Sequence, residues 1–383
     1  MGKRKVIVIP FLTNYSLATG VVIYLINLVK NFNALADEQK PKLIILYGSV
    51  SPIEDIRQIG YPFIRYCQLD KPVPFIIRAI NKAWRMIFNT PLIRKEYHAD
   101  FIYPAYEDPA FVKIKHKIFW KEDFQESYFP SYFSEKEFAF VQRFFETLKT
   151  NPDYQLVLSS QSAGQDLRTF YLAVTNRVHY LRFVSLLPRL HYALVASLQL
   201  AHTLPAHYFI VCNQFWPHKN HITVIKAVEH IVSKGYTDFA VVFTGKTTTT
   251  RNPHYFGELK SYMATHGLTS FFRITGFIER EQQLLLMKNS AAVIQPSLFE
   301  GWSTVIEDAK ALNKFVLAAD LDVNKEQLDR NACFFERTNE HQLAELMIQS
   351  LTAGHQVVPL DYADNIRVFR KELIQLFDLD ANR

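Results

Sequence analysis

The run Ser297-Leu298-Phe299-Glu300-Gly301-Trp302-Ser303-Thr304-Val305-Ile306-Glu307-Asp308-Ala309-Lys310 places acidic side chains on both sides of a Gly-aromatic-Ser-Thr turn, directly after a short apolar segment. Small and hydroxyl residues at a loop-to-helix junction suit an anion, because the first helical turn has unsatisfied N–H donors and a partial positive charge. The flanking carboxylates are suited to accept from sugar or ribose hydroxyls. Together these groups describe a site for a nucleotide sugar. A strand, a turn and a capped helix with two solvated acids fits the same spacing, so the surrounding elements must decide.

A second set of chemical groups lies upstream, in Asn213-Gln214-Phe215-Trp216-Pro217-His218-Lys219-Asn220-His221. Lys219 stands just before a helical pattern, where an ammonium and a helix N-terminus together would suit a diphosphate; a surface lysine in a loop is the other reading. Gly245-Lys246 and Gly276-Phe277-Ile278 follow two further strand-like runs. His116, His218 and His221 have no partner at metal-ligand spacing and read as helix-end or surface histidines.

These groups need elements to carry them, and the hydrophobic pattern supplies an alternation of strands and helices. Lys5–Pro10 is a near-continuous β-branched run, as expected for a strand buried on both faces of a parallel sheet. A polar loop follows, and Gly20 opens a helical stretch with Val21, Leu25, Leu28, Phe32 and Leu35 on one face. Strands are predicted at 42–47, 101–103, 118–120 and 156–158, with a helix over 135–149. Ser159-Ser160-Gln161-Ser162 reads as a helix cap. The second half repeats the grammar: strands at 208–212, 239–244, 272–275, 291–295 and 315–318, and helices at 220–234, 255–266 and 281–289. A last helix is expected over 363–377. The fold class is therefore α/β, with two Rossmann-like units facing each other. The joint is placed near 201–206, giving an N-terminal domain over 1–204, a C-terminal domain over 205–360, and a C-terminal helix over 361–383 that packs back on the first domain.

In such sheets ligands bind at the carboxyl ends of the strands, which is where Lys219, Lys246, Gly276 and Glu300 fall. On these residues the second half, over about Tyr208 to Leu328, resembles the donor-binding domain of the family-4 retaining glycosyltransferases of GT-B fold. The resemblance implies that Glu300 is the first acid of an E-x7-E motif, close to the transferred sugar, and that Lys219 grips the donor diphosphate. Position 308 carries Asp, preceded by Glu307; the two lie ~100° apart on a helix, so one of them is expected to face the donor ribose. The family's arginine shortly before the lysine is replaced by Gln214. Gly245, Lys246, Gly276, Phe277, Ile278, Gly301, Trp302, Ser303 and Thr304 complete the implied donor set.

In the first half, Gly20 resembles the glycine that lets the backbone approach the sugar; an ordinary helix N-cap glycine is the other reading. Asp123-Phe124-Gln125, Pro130 and Phe133 resemble a segment of surface-polysaccharide and lipopolysaccharide branches, where many members carry a His; here Glu122 precedes Asp123. Asp123 either binds acceptor or donor hydroxyls or serves as a structural loop acid.

Composition bounds the rest. The 383 residues, 49% hydrophobic and 21% charged, suffice for two globular domains. Cys67, Cys212 and Cys333 form no ligand-spaced pair, which fits a reducing compartment without a structural disulfide or zinc. No secretory leader and no membrane-spanning run is expected. The net charge of +6 is unevenly spread: Lys71 to Lys95 holds six basic residues and no acid, with an apolar stripe at helical spacing. Arg78, Lys82, Trp84 and Arg85 would suit an anionic membrane surface; the alternative is a core-facing helix with a solvated basic edge. No nucleic-acid motif accompanies the patch.

The expectation is a retaining, metal-independent hexosyltransferase without a cofactor. It would use a nucleoside-diphosphate sugar and a glycan or glycolipid acceptor, at the inner face of the cytoplasmic membrane. Glu300, Lys219 and Asp123 are its candidate catalytic residues. A catalytically silent GT-B protein acting as a scaffold is the competing reading, motivated by the missing Arg and His. An epimerase or phosphorylase finds no supporting lysine.

Overall fold

The computed structural model describes residues 4–70, 97–107, 112–248 and 252–380. Two parallel sheets form the frame. The first contains β1 (Val6–Phe11), β2 (Lys42–Tyr47), β3 (Ile64–Gln68), β4 (Tyr97–Ala105), β5 (Val112–Lys121), β6 (Gln155–Leu158) and β7 (Arg177–Tyr180), in the order β3-β2-β1-β4-β5-β6-β7. The second contains β8 (Tyr208–Val211), β9 (Ala240–Thr244), β10 (Phe272–Gly276), β11 (Val293–Gln295), β12 (Val316–Ala319) and β13 (Ala332–Phe335), in the order β10-β9-β8-β11-β12-β13. Each sheet reverses its winding direction between its first and fourth strands, the place where open α/β sheets leave a crevice. In the second sheet that crevice lies between β8 and β11, paired through Val293 and Ile210.

The apolar runs explain the layering. Tyr208, Phe209, Ile210 and Val211 are all fully buried, alternate residues belonging to cores on opposite faces of the sheet. β1 behaves the same way, with Ile7, Ile9 and Phe11 in one core and Val8 in the other. A strand covered on both faces has no polar side to show, which is why these runs lack alternation.

The chain passes between the domains twice. Leu181, Phe183 and Val184 belong to the first domain's core, whereas Leu187, Leu190, Val195, Leu198 and Leu204 pack on the second. The first crossing is therefore at Ser185, earlier than the 201–206 joint read from the sequence, because the helix Leu194–Ala201 spends its apolar face on the second domain. On the return, Val357 still packs on the second core while Leu360 already packs on the first. The C-terminal helix Tyr362–Leu376 then docks on the first domain through Tyr362, Phe369, Leu373 and Leu376, and Phe377 beyond it meets Phe32 and Phe101 at centroid distances of 5.6 and 5.5 Å.

Among the described residues no helix is long and apolar enough to cross a membrane. Arg78, Lys82, Trp84 and Arg85 lie outside the described residues.

Glu372, on the C-terminal helix, is half-buried, and this desolvation raises its carboxyl to about 7, partly opposed by the nearby Arg182 charge. A folded-state value above the unfolded one means that stability present at low pH is lost as pH rises from about 4.3 through about 7. Glu372→Gln should therefore melt above wild type at pH 8, with the gap closing at pH 4.5. Thermal denaturation at both pH values checks this; a gap of equal size at both would contradict it.

Candidate active site

Lys219 and Glu300 meet at the crevice. Lys219 closes a short turn, Pro217–Lys219, after β8, and Asn220 follows in the left-handed conformation with φ 57°. The Asn220 side chain donates to the Pro296 carbonyl at 3.0 Å, and Leu298 N–H donates to the His218 carbonyl at 2.8 Å. These bonds tie the turn to the segment after β11, and so set the register of lysine against glutamate. Lys219 Nζ donates to Glu300 Oε1 at 2.6 Å, with the two side chains 19% and 9% exposed. The same oxygen accepts from Gln295 Nε2 at 2.7 Å, and Gln295 Oε1 accepts from Asn213 Nδ2 at 3.0 Å. Charge-assisted bonds in a half-buried crevice hold a side chain far more firmly than surface pairs do.

Glycine shapes the floor. Gly245 has φ +133°, and a Cβ there would lie 2.4 Å from the Asn213 carbonyl oxygen. Gly276, at φ +69°, accepts from Gly245 N–H at 2.8 Å. Lys246 reaches over the Phe277 ring at 5.7 Å, while Ile278 packs towards the core. Gln214 is half-buried on the backbone beside Gly245.

The turn 301–304 is held from both domains. A Cβ on Gly301 would fall 2.5 Å from the Glu122 carbonyl oxygen and 2.6 Å from Asp123 Cβ, so the first domain's loop lies directly against it. Trp302 Nε1 donates to the Phe183 carbonyl at 3.0 Å, and its ring packs on the first domain's core. Ser303 caps the helix Thr304–Ala311, its Oγ accepting from Ile306 N–H at 3.3 Å. Its own N–H donates to Gln327 Oε1 at 3.0 Å, so this amide is engaged within the protein.

The two later acids are deeply buried, each 1% exposed. Glu307 Oε1 accepts from Gln327 Nε2 at 3.0 Å and from Lys310 at 3.1 Å, and its Oε2 accepts from the Tyr362 hydroxyl. Burial pushes its carboxyl up. Asp308 receives both guanidinium nitrogens of Arg280 and accepts from Ser185 Oγ at 2.6 Å. Asp308 is thus held between Arg280 and the crossing residue Ser185, whereas Glu307 faces the C-terminal helix.

On the first domain, Asp123 Oδ1 accepts from Gln125 N–H at 3.0 Å, and its side chain adjoins Gly301. Glu122 accepts from the Tyr106 hydroxyl at 2.7 Å, and burial raises its carboxyl. Aromatic rings bridge the domains beside them: Tyr128 lies 5.0 Å from Phe299, and Phe129 and Tyr132 lie 6.5 and 6.4 Å from His218. Gly20 is placed differently from the sequence reading. The helix begins at Tyr15, so Gly20 is interior to it, exposed, with open space where a methyl group would stand. His221 is buried and stacked on Phe215 at 4.3 Å, and desolvation lowers it to about 3, leaving it neutral.

The sequence reading missed Gln295, Arg280, Gln327 and Tyr362. Gln295 carried a signal: it is a polar residue closing an apolar strand, and it is fully buried. A surface cavity of about 830 Å³ lined by Leu200, Thr203, Phe271 and Arg273 lies at the amino ends of β8–β10, the opposite edge from these groups.

Residues 199–362 match the family model of glycosyl transferases group 1. This span holds Lys219, Lys246, Gly276 and the Glu300 turn. Over almost the whole chain the structure is similar to a glycosyltransferase from Rickettsia africae (TM-score 0.61, 15% identity, 99% of this chain and 96% of that one). It is also similar to sucrose-phosphate synthase from Thermosynechococcus elongatus (0.64, 11%, 98% of each). HepE from Anabaena, in complex with UDP and glucose, is a third (0.62, 14%, 98% and 96%). No curated protein matches the chain in sequence. The fold is GT-B: two Rossmann-like domains facing each other across a cleft.

Two glycines make opposite predictions. Gly301→Ala should cost ~1–3 kcal/mol in urea unfolding, because the methyl meets the Glu122–Asp123 backbone. Gly20→Ala, in an open helical position, should gain ~0.5–1 kcal/mol. Equal effects at the two sites would refute this account of the cleft.

Proposed function

We propose that the protein is a retaining glycosyltransferase that moves a hexose-type sugar from a nucleoside-diphosphate donor to a hydroxyl acceptor. The observation that carries this reading is the Lys219–Glu300 pair, set at the ends of adjacent strands β8 and β11 within the span that matches glycosyl transferases group 1. A UDP-linked donor is supported by analogy with HepE, whose structure contains UDP and glucose.

The chemical difficulty is departure of a charged diphosphate from an anomeric carbon that becomes oxocarbenium-like. Lys219, Lys246 and the first-turn amides of the helix Thr304–Ala311 would stabilise the charge growing on the leaving group. Glu300 would hold sugar hydroxyls and favour the positive carbon. In this reading the acceptor oxygen bonds to the anomeric carbon as the bond to the diphosphate oxygen breaks on the same face, and that departing oxygen takes the acceptor's proton. Asp123, against Gly301, would sit on the acceptor side. Asp308 is favoured over Glu307 as the ribose acid, since Glu307 is turned to Tyr362; a ribose would then exchange with Arg280 or Ser185 as its partner. The reaction as drawn uses no metal or cofactor.

Lys219→Ala and Glu300→Gln should each lower transfer by ~100-fold or more. Wild type should be stabilised thermally by UDP or GDP or their sugars, and Lys219→Ala should lose that shift. Full activity in both variants, or no response to any nucleotide, would sink the proposal.

A membrane-linked glycan acceptor rests on the basic, aromatic stretch from Lys71 to Lys95. Charge reversal at Arg78, Lys82 and Arg85 should release the protein from anionic vesicles while leaving nucleotide binding intact. Unchanged vesicle sedimentation would remove the membrane from the reading.

A further inference from the structure

One carboxylate joins the two domains beside the cleft and plays no part in the chemistry described above. Glu326 lies on the short helix Asp322–Gln327 of the second domain. Its oxygens accept from Gln161 N–H at 2.9 and 3.0 Å and from Ser162 N–H at 3.1 Å, the first amides of the first-domain helix Gln161–Phe170. Its Oε1 also accepts from Arg182 Nε at 3.0 Å and from a terminal guanidinium nitrogen at 2.9 Å. A helix N-terminus and a guanidinium, both positive, converge on one acid supplied by the opposite domain. The Glu326 side chain is 15% exposed.

The next residue holds the donor turn. Gln327 accepts from Ser303 N–H at 3.0 Å and donates to the Ser303 carbonyl at 2.8 Å, a two-point clamp, and it also donates to Glu307 at 3.0 Å. Neighbouring residues on one helix therefore grip the first domain and the turn that follows Glu300. We propose that Glu326 is a positioning residue for sugar transfer: its bonds to Arg182 and to the 161–162 amides hold the domains closed, and Gln327 passes that position to Ser303. When the domains part, the Glu326 bonds break and Gly301 loses its contact with Glu122 and Asp123.

The kinetic part rests on the glycosyltransferase reading, whereas closure is measured without turnover. The distance between fluorophores on the two domains, and small-angle scattering, should report a more open molecule in Glu326→Ala and in Arg182→Ala than in wild type. UDP affinity by calorimetry should change less than threefold, because the proposed nucleotide contacts lie in the second domain. With UDP-glucose, or whichever donor the nucleotide screen identifies, kcat should fall at least tenfold with little change in donor KM. Glu326→Asp should restore part of the closure. The double variant Arg182→Ala/Glu326→Ala should be no slower than Glu326→Ala alone. A purely structural helix cap predicts lower melting temperatures with unchanged interdomain distance and kcat. That result in Glu326→Ala, or in Arg182→Ala if the first variant does not fold, overturns the proposal. Absence of turnover in wild type would count against the enzyme reading and leave the distance measurement to decide closure.

Discussion

Two neighbouring acids on one helix, Glu307 and Asp308, hold the junction on which the two-domain arrangement depends. The chain crosses between domains at Ser185 and returns just before Tyr362, and both crossings are fastened to this pair. Ser185 donates its hydroxyl to Asp308 and its N–H to the Tyr362 oxygen, while Tyr362 donates to Glu307. Buried carboxylates remain in an interior only where partners replace water, and removing one partner from such a set typically costs ~3–5 kcal/mol. The network therefore binds its members strongly to one geometry. Burial raises both the Glu307 carboxyl and the Tyr362 phenol, whose hydroxyl donates to the carboxyl.

This junction is continuous with the cleft. The helix carrying both acids starts at Thr304, one residue beyond its Ser303 cap, and Gln327 touches both Ser303 and Glu307. The turn after Glu300 is thus set from behind by the junction and from in front by the Glu122–Asp123 backbone. Glycine at 301 is what permits the front contact; Trp302, reaching into the first domain's core, is what anchors it. A motif that reads locally as a phosphate loop is equally an interdomain contact.

The sequence disclosed the buried strands well because they are covered on both faces. β2 is read at its observed bounds, and β8, β9 and β12 to within a residue at either end. The strands it missed are β3, β7 and β13, all at or beside a sheet edge. Ile64-Arg65-Tyr66-Cys67-Gln68 and Arg177-Val178-His179-Tyr180 mix polar with apolar residues because an outer strand is covered less fully. Gly20 was misplaced for a different reason: Tyr15 to Thr19 carry polar residues without a clear helical stripe, so the helix start was read too late. Lys219 and Glu300 were singled out from their places after strand-like runs together with the family resemblance, since position by itself left a surface lysine and a capped helix open. Ser185 and Tyr362 were not, because their meeting with Glu307 and Asp308 is decided by domain docking; Arg280 was not, because its approach to Asp308 depends on how two helices of the second domain pack together.

The same docking bears on the charge left by Gln214. An arginine there would add a fixed cation to the proposed diphosphate site, which instead rests on Lys219. Lys219 is paired with Glu300, so a diphosphate bound as proposed would compete with that acid for it. That competition is less unfavourable than it first looks. Gln295, fixed by Asn213, donates to the same Glu300 oxygen at 2.7 Å and would still serve the acid if the lysine turned away. Lys246 stands at the end of β9, across the Gly245 floor, and brings a second positive charge to the same crevice. Were Lys219 to turn from glutamate to a donor phosphate, one hydrogen bond would move and one acceptor position on Glu300 Oε1 would open for a sugar hydroxyl. In the proposed reaction one exchange at Lys219 would thus serve both ligands, coupling the binding of the diphosphate to that of the sugar.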